Sequence, residues 1–385
     1  MKRFRLLLSL CLTVSLLLTI PVRALALEPL RDQDIAIAAP SAILMEKVTG
    51  QVLYEKNADQ RMLPASVTKV MTMLLIIEDL DAGRLSAEDV VTASARAASF
   101  GGSCVYLEEG ERMSVHEMLK CIAVASANDC AVAMAEHLAG TEQLFVERMN
   151  ARAGELGLTN THFTNCTGLF EDSDHYSSAR DIALMSRELL SHERIKEYST
   201  IWMDSIRNGS FGLTNTNKLV YWYEGCTGLK TGFTSGAMYC LSASAERDGT
   251  EYIAVIMHGD SIDSRNADAT ALLNYGFSRF ALCPLLPEEE LPSLPVELGA
   301  EDRVPLCVEG ETAALVPKGS VKPDYRLDLP ARVSAPVEEG QRLGTLTVRL
   351  GDETLAELPL TAAKTVQRVG LFPLFTRLLG SLLGL

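Results

Sequence analysis

The sequence predicts an α+β fold, in which an antiparallel sheet is flanked by helices, followed by a small all-β domain and a C-terminal amphipathic helix. Strand-like segments near residue 45 and again near residues 240 and 255 enclose a region with mostly helical periodicity. From about residue 296, short alternating strands are separated by glycine and proline. The final segment has apolar residues at helical spacing.

Residues 1–26 have the features of a secretory signal peptide. Residues 2–5 carry positive charge, an apolar run extends from Leu6 to Ile20, and Ala24-Leu25-Ala26 is an A-x-A cleavage site. The apolar run is shorter than the roughly 20 residues of a membrane-spanning helix. We therefore expect an exported chain that begins near Leu27.

Composition excludes some classes of function. The formal charge is -15, and it becomes -19 without the signal peptide, which contains four basic and no acidic residues. Nucleic-acid binding requires clustered lysine and arginine, so no nucleic-acid partner is expected. Eight of the nine cysteines lie beyond the signal peptide, and none forms a C-x-x-C pair that would indicate structural zinc. We expect mostly free, partly buried thiols.

The first predicted element is a β-hairpin over residues 41–57, with its turn at Thr49-Gly50. It leads into residues 63–73, where a loop changes into a helix. Pro64 suits the first turn of that helix, and the apolar run that follows, through Ile77, can be buried. An acidic loop over residues 78–89 is expected to end this element.

Ser66 and Lys69 are three residues apart at the start of this helix, so the lysine ammonium can reach the serine hydroxyl. A desolvated lysine has a lowered pKa and can accept the serine proton. The helix N-terminus also offers backbone N–H groups to an oxyanion. Ser66 is therefore a candidate nucleophile, although the same pattern also fits a helix cap beside a solvated lysine.

A second candidate motif, Ser126-Ala127-Asn128, follows a helix predicted from Ser114 to Ala125, with Glu117 at the capping-box position. Serine and asparagine on one turn can both point into a cleft. There the hydroxyl can relay a proton, and the amide can hold a substrate carbonyl or a lysine. These residue types also favour a plain turn between two helices.

The third candidate motif, within residues 228–234, is predicted to be a strand along one wall of a cleft. Lys230 supplies a cation, Thr231 a donor for a carboxylate, and Gly232 room for close backbone approach. An ordinary strand start fits the same residues. Residues 215–219, before an aromatic cluster at 221–223, either border the cleft or pack beside it. The other predicted elements are helices over residues 131–155, 178–190 and 268–280, and strands over residues 238–245 and 251–258.

The composition changes after residue 284. Prolines and consecutive glutamates mark a linker, and short strands then indicate a small all-β domain over residues 285–363. Residues 364–385 form a tail whose apolar residues define one wide helical face, too short to span a bilayer. We expect an anchor that lies in the plane of a membrane surface. The alternative is a helix docked on the β domain.

In their order and wide spacing, these three motifs resemble the penicilloyl serine transferases. Over almost the whole predicted exported chain, the sequence resembles a low-molecular-mass penicillin-binding protein of the serine D-alanyl-D-alanine carboxypeptidase type. The resemblance implies that residues 27–284 form a catalytic domain with a serine β-lactamase/penicillin-binding transpeptidase-like fold. It also implies a cell-wall enzyme at the extracytoplasmic face of the cytoplasmic membrane.

The resemblance assigns Ser66 as the nucleophile that attacks the carbonyl between the two terminal D-alanines of a peptidoglycan stem pentapeptide. Lys69 is then the base, Ser126 the proton relay, and Asn128 the residue that orients substrate and Lys69. Water hydrolyses the acyl-enzyme after one D-alanine has left. β-Lactam antibiotics are expected to acylate the same serine and to leave slowly.

On the sheet side, the resemblance implies that Lys230 and Thr231 receive the terminal carboxylate, with Gly232 in the substrate-binding set. The backbone N–H groups of Ser66 and Phe233 would form the oxyanion hole. No cofactor and no metal are predicted. In such proteins a glycine usually follows the alanine equivalent to Ala237, whereas this chain has Met238.

Several alternatives remain on the sequence alone. A class A β-lactamase needs a deacylating Glu-x-x-Leu-Asn segment, which residues 171–175 do not supply. A catalytically silent wall-binding scaffold would lack a motif residue, and none is missing. The six histidines form no zinc-binding pattern, and no Gly-x-Ser-x-Gly nucleophile elbow is present. The role of Arg265 and the balance among carboxypeptidase, endopeptidase and transpeptidase activity stay open.

Overall fold

The computed structural model describes residues 35–320 and 322–375. The predicted signal peptide and the last ten residues of the predicted membrane-binding tail lie outside the described residues. The chain forms two compact units that divide between Ala281 and Leu282. The first unit contains all three sequence motifs.

A five-stranded antiparallel sheet is the centre of the first unit. Its strand β9 is buried along nearly its whole length, so both faces of the sheet are covered. The strands of this unit are β1 (Ser41–Glu46), β2 (Val52–Lys56), β3 (Val90–Thr92), β4 (Arg112–Ser114), β5 (Met203–Ile206), β6 (Phe211–Thr214), β7 (Cys226–Thr234), β8 (Met238–Arg247) and β9 (Thr250–Gly259). The sheet order is β2-β1-β9-β8-β7, with β3-β4 and β5-β6 as separate pairs. The predicted hairpin is present as β1 and β2.

Helices surround this sheet. They are α1 (Lys69–Asp81), α2 (Ala95–Ala98), α3 (Val115–Ala125), α4 (Asn128–Ala139), α5 (Glu142–Glu155), α6 (Ala179–Ser191), α7 (Lys196–Ser199), α8 (Leu219–Trp222) and α9 (Ile262–Arg279). Short 3₁₀ turns occupy Ala65–Thr68 and Glu193–Ile195. Helix α1 is buried along most of its length and packs against α3, α4, α5 and α6. The Ser66–Lys69 motif therefore leads into the helical core.

Helix α1 is longer than the sequence predicted, because the acidic residues expected to end it are neutralised. Buried Asp79 is paired with Arg84 at 2.6 Å and Arg148 at 2.8 Å. Glu78 is paired with Arg152 at 2.8 Å. Arg148 and Arg152 lie on α5, which is distant in sequence, so tertiary contacts allow the helix to continue through its acidic end.

Two other helix boundaries also differ from the prediction. The helix expected over residues 131–155 is two helices, because Gly140 ends α4 with φ +82° and Thr141 caps α5 by accepting from Leu144 N at 3.2 Å. The helix expected from residue 268 begins at Ile262. There the Ser261 hydroxyl accepts from Ser264 N at 3.0 Å.

The second unit is all-β. Strand β10 (Phe280–Pro284) runs across the division. The unit contains β11 (Leu294–Glu297), β12 (Arg303–Val304), β13 (Leu306–Val308), β14 (Ala313–Pro317), β15 (Asp324–Asp328), β16 (Val333–Ser334), β17 (Arg342–Leu350) and β18 (Glu353–Ala362). Its largest sheet has the order β13-β18-β17-β15, and alternate residues of β17 and β18 form the core. Strand β11 begins inside the segment expected to be a linker. For the described residues, the predicted fold class is confirmed.

Residues 371–375 of the predicted tail are helical. Leu371, Phe372 and Phe375 are 89%, 78% and 60% exposed. Among the described residues, no helix combines the length and the apolar character that crossing a membrane requires.

Candidate active site

The candidate nucleophile Ser66 lies in the 3₁₀ turn that leads directly into α1. Its hydroxyl accepts a hydrogen bond from Lys69 Nζ at 3.0 Å. The preceding residue, Ala65, has φ +47°, a left-handed conformation that costs a non-glycine residue energy. The turn thus holds the serine and the lysine in contact.

Lys69 is fully buried and is held by three acceptors. Besides Ser66, its ammonium donates to Asn128 Oδ1 at 2.6 Å and to the carbonyl of Thr167 at 3.0 Å. Burial lowers the pKa of Lys69 to about 7, although the nearby carboxylate of Asp129 acts in the opposite direction. A lysine with this pKa is partly neutral near pH 7 and can serve as a base.

The second motif forms the turn between α3 and α4. Ser114 caps α3 as predicted, by accepting from Glu117 N at 3.2 Å. Ser126 ends the helix in the left-handed region, with φ 62°, and its side chain is buried. Asn128 then begins α4, and its Nδ2 donates to the Gly101 carbonyl at 2.7 Å. This bond directs Oδ1 of Asn128 towards Lys69.

The glycine-rich segment around residue 102 is part of this arrangement. Gly102 has φ +74°, and a Cβ there would lie 2.9 Å from Asn128 Nδ2. The backbone of Asn128 donates to the Ser103 carbonyl at 2.7 Å. The contact of this segment with Asn128 could not be predicted from the sequence, because a carbonyl acceptor has no residue-type signal.

The third motif lies on β7. Lys230 is buried, and its Nζ donates to the carbonyl of Thr231 at 2.9 Å. Burial lowers the pKa of Lys230 well below its usual value, and the positive charges of Lys69 and Arg265 lower it further. The hydroxyl of Thr231 donates to Thr216 Oγ1 at 2.8 Å. Thus the 215–219 segment borders the site.

Gly232 brings β7 against the nucleophile turn. A Cβ at this position would lie 2.7 Å from the Pro64 carbonyl oxygen and 3.1 Å from the backbone N of Ser66. Only a residue without a side chain permits this approach. The next residue, Phe233, is 54% exposed, and its ring lies 4.5 Å from that of Tyr239.

A loop over residues 164–177 also supports the site, and the sequence did not predict this role. Besides the Thr167 carbonyl, it contributes Gly168, where φ is +71° and a Cβ would lie 1.8 Å from the Ala65 carbonyl oxygen. His175 Nδ1 accepts from Thr164 N at 3.1 Å, so its Nε2–H donates to Thr68 Oγ1 at 2.8 Å. Burial lowers the pKa of His175 to about 4, which keeps this ring neutral.

Two residues that the sequence left unexplained also have defined environments. Arg265 is buried, its Nη1 donates to the Cys240 carbonyl at 3.3 Å, and burial lowers its pKa to about 10. Its charge acts on Lys230, so it belongs to the cationic side of the site. Met238 has φ 53°, a backbone conformation that glycine adopts more easily.

Comparison with known proteins agrees with this geometry. Residues 28–261 match the family described as D-alanyl-D-alanine carboxypeptidase. The chain belongs to the D-alanyl-D-alanine carboxypeptidase family. Residues 286–368 match the C-terminal domain of penicillin-binding protein 5. The predicted membership in this family of serine peptidases is therefore confirmed.

Individual relatives extend the similarity over both domains. D-alanyl-D-alanine carboxypeptidase DacF of Bacillus subtilis is 41% identical over 382 residues, which cover 98% of each chain. The crystal structure of penicillin-binding protein 5 from Haemophilus influenzae has a TM-score of 0.72 at 29% identity and covers 86% of this chain and 98% of that chain.

The ampicillin-bound structure of penicillin-binding protein D2 from Listeria monocytogenes is also similar, with a TM-score of 0.58 at 30% identity. The match covers 63% of this chain and 98% of the Listeria protein. The chain therefore shares the penicillin-binding protein fold with these solved structures.

Proposed function

We propose that this chain is a serine D-alanyl-D-alanine carboxypeptidase that removes the terminal D-alanine from peptidoglycan stem pentapeptides. The observation that carries this proposal is the buried Lys69 ammonium, 3.0 Å from Ser66 Oγ, with a pKa of about 7. A neutral Lys69 can take the hydroxyl proton as Ser66 attacks the carbonyl between the two D-alanines. The cluster of three acceptors keeps Lys69 Nζ directed at that hydroxyl.

The tetrahedral intermediate then needs an oxyanion site and a proton for the leaving amine. We assign the oxyanion site to the backbone N–H groups of Ser66 and Phe233, a role supported by the close approach of Gly232 to Ser66 N. Ser126 relays the proton from Lys69 to the departing D-alanine, and Asn128 orients Lys69. Once the C–N bond breaks, the substrate remains as an ester of Ser66.

The terminal carboxylate of the substrate binds Lys230 and Thr231. Lys230 is buried with a lowered pKa, so an incoming anion would favour its charged form. The hydroxyl of Thr231 turns from Thr216 to the carboxylate. Water finally hydrolyses the ester, and Lys69 removes its proton. β-Lactams acylate the same serine but leave slowly.

We also propose that the protein works outside the cytoplasmic membrane, in cell-wall biogenesis and the control of cross-linking. The predicted signal peptide exports it, and the tail over residues 364–385 binds a membrane surface. The exposed apolar side chains of residues 371–375 support this role. Deletion of the tail should release the protein from the membrane fraction without changing its activity on a soluble peptide.

The decisive test combines mass spectrometry with an activity assay. Wild-type protein should show a persistent penicillin adduct and release D-alanine from a D-Ala-D-Ala peptide, whereas the Ser66→Ala variant should do neither. Rapid penicillin turnover without an adduct would instead indicate a β-lactamase. No adduct at all would indicate a silent scaffold.

A further inference from the structure

The buried carboxylate of Glu142 has no part in the proposed chemistry, although it bonds to the loop that supports the base. Glu142 is the first residue of α5. Its Oε1 accepts from the backbone N–H of Cys166 at 3.3 Å and from the thiol of the same residue at 3.4 Å. Burial raises the pKa of that thiol well above its usual value, so it keeps its proton and can donate. The other oxygen of Glu142 pairs with Arg96. Both carboxylate oxygens are therefore bonded, as burial of a charge requires.

The backbone of Cys166 and Thr167 connects this carboxylate to the base. The carbonyl of Thr167 is one of the three acceptors of Lys69 Nζ, at 3.0 Å. The carbonyl of Cys166 accepts from Thr72 Oγ1 at 2.7 Å. Thr72 follows Lys69 by three residues on α1, so their side chains lie on one face of that helix. Cys166 is thus held at its N–H by Glu142 and at its carbonyl by Thr72.

Other bonds of this backbone lie within the loop itself. Asn165 Oδ1 accepts from the backbone N–H of Thr167 at 3.1 Å and from that of Gly168 at 2.7 Å. Such bonds preserve the shape of the loop, but they do not fix its distance from α1. The bonds from Glu142 and Thr72 come from helices, and they set the position of the loop against the base.

Arg96 connects the same carboxylate to a second segment of the site. Its guanidinium also lies over the ring of Phe100, 5.5 Å from the centroid. The carbonyl of the next residue, Gly101, accepts from Asn128 Nδ2 at 2.7 Å. The pair between Glu142 and Arg96 therefore joins the two segments whose carbonyls hold Asn128 and the base.

We propose that Glu142 is a positioning residue that holds the base Lys69 through the backbone of residues 166–167. Thr72 is the second support of this backbone. The inference rests on the proposed function. Without the support, the Thr167 carbonyl would move away from Lys69 Nζ. A carbonyl acceptor favours the charged form of a lysine, so its loss should lower the pKa of Lys69, and the loss of orientation should slow acylation.

The test follows acylation by a fluorescent penicillin in a stopped-flow instrument over pH 5 to 9. Glu142→Met removes both acceptor oxygens and keeps a side chain of similar length. It should lower the rate at high pH about tenfold. It should also move the midpoint of the pH profile downwards by about half a unit, which corresponds to one weakened hydrogen bond. The other ionisable groups that act on Lys69 stay the same in every variant: Cys104, Asp129, Cys166 and Lys230.

Glu142→Gln separates the bond to Cys166 from the charge of the carboxylate. It removes the same charge as Glu142→Met but keeps an oxygen that can accept from the Cys166 N–H. Its midpoint should therefore lie closer to the wild-type value than to that of Glu142→Met. A role in folding alone would lower the unfolding temperature of these variants without moving the midpoint.

Asp79→Asn is the matched control for the loss of a buried, ion-paired carboxylate. Asp79 pairs with Arg84 at 2.6 Å and with Arg148 at 2.8 Å, about 15 Å along α1 from Lys69. This variant should keep the wild-type midpoint, even where thermal unfolding shows a lower stability.

Thr72→Val tests the second support with little change in the shape of the side chain. It removes the hydroxyl that donates to the Cys166 carbonyl, so the midpoint should move in the same direction as in Glu142→Met. Should Glu142→Met not fold, the midpoint of Thr72→Val alone decides.

Two results would overturn the inference while leaving the proposed function intact. One is a wild-type midpoint in both Glu142→Met and Thr72→Val, and the other is the same shift in Glu142→Gln as in Glu142→Met. If the wild-type protein itself forms no penicillin adduct, the proposed function fails, and the inference fails with it.

Discussion

The two sides of the active site each bury a lysine, but they use it differently. On the helical side, Lys69 donates to three acceptors from three separate segments, and its pKa is about 7. On the sheet side, Lys230 donates to the carbonyl of its own neighbour, Thr231, and its pKa is lowered well below the usual value. Burial is the main cause for both.

Burial alone does not decide whether a lysine acts as a base or binds an anion. The groups that neighbour the lysine decide it. A pKa change from 10.5 to about 7 corresponds to roughly 5 kcal/mol between the charged and neutral forms of Lys69. Its neighbours orient it at Ser66 in either form. Lys230 faces other cations, which lower its pKa further, and the carboxylate of a substrate would act in the opposite direction.

The largest expected effect comes from the loss of the Lys69 amine. Lys69→Met should lower the rate of acylation by a fluorescent penicillin about 10³-fold, because Lys69 is the only titratable group bonded to the Ser66 hydroxyl within the described residues. Lys120→Met is a matched control, since Lys120 is also buried but pairs with Asp204 at 2.9 Å. It should acylate at nearly the wild-type rate. Equal rates in the two variants would contradict the assignment of Lys69 as the base.

Loss of Lys230 should reduce the preference of the protein for peptides with a free C-terminal carboxylate. Wild-type protein should prefer a peptide with a free C-terminus to its C-terminal amide by about 100-fold, and Lys230→Met should remove most of this preference. Steady-state D-alanine or D-alaninamide release measures both rates. If the variant keeps the preference, the carboxylate is bound elsewhere, and Arg265 becomes the next candidate.

The contact between the two sides depends on Gly232. Gly232→Ala should slow acylation about tenfold, because its Cβ would push β7 away from the Pro64 carbonyl and from Ser66 N. Gly212→Ala on β6 is the control, since a Cβ there has no neighbour within 4 Å. Thermal unfolding of both variants shows whether the folds are equally stable. An acylation rate in Gly232→Ala equal to that of the control would show that the close approach is dispensable.

The pH dependence should be the mildest effect. Acylation requires neutral Lys69, so its rate should rise with pH through about 7 and be about fivefold lower at pH 6 than at pH 7. Stopped-flow acylation over pH 5 to 9 measures this profile. Asn128→Asp would place a negative charge beside the ammonium and raise its pKa, so the midpoint should move upwards. An unmoved midpoint would mean that another group controls the profile.

Sequence patterns predicted the motif residues better than they predicted the backbone groups that hold those residues in place. Ser66 and Lys69, Ser126 and Asn128, and the residues of β7 all lie in or around one site. Their residue types and spacing carry a chemical signal, which explains why they could be found in advance. The Thr167 carbonyl carried no such signal, since every residue has a carbonyl.

Some element boundaries depended on partners distant in sequence. The acidic end of α1 looked like a loop because its charges could not be matched to Arg148 and Arg152, which lie about 70 residues later. The sequence did not reveal the helix end at Gly140, because apolar periodicity continues across that residue. At the end of α1 the local sequence favours a loop, whereas ion pairs with distant arginines stabilise a helix.

The sequence by itself determined the fold class, the order of the chemical groups and the family, because hydrophobic periodicity and residue type can be read from short stretches of sequence. The tertiary structure decided which groups meet. It buries Lys69 in contact with Ser66, places Gly232 against that serine, and directs Glu171 to the turn that follows β7. Burial and approach distance arise only when separate segments pack together, and these two quantities set the pKa of a lysine.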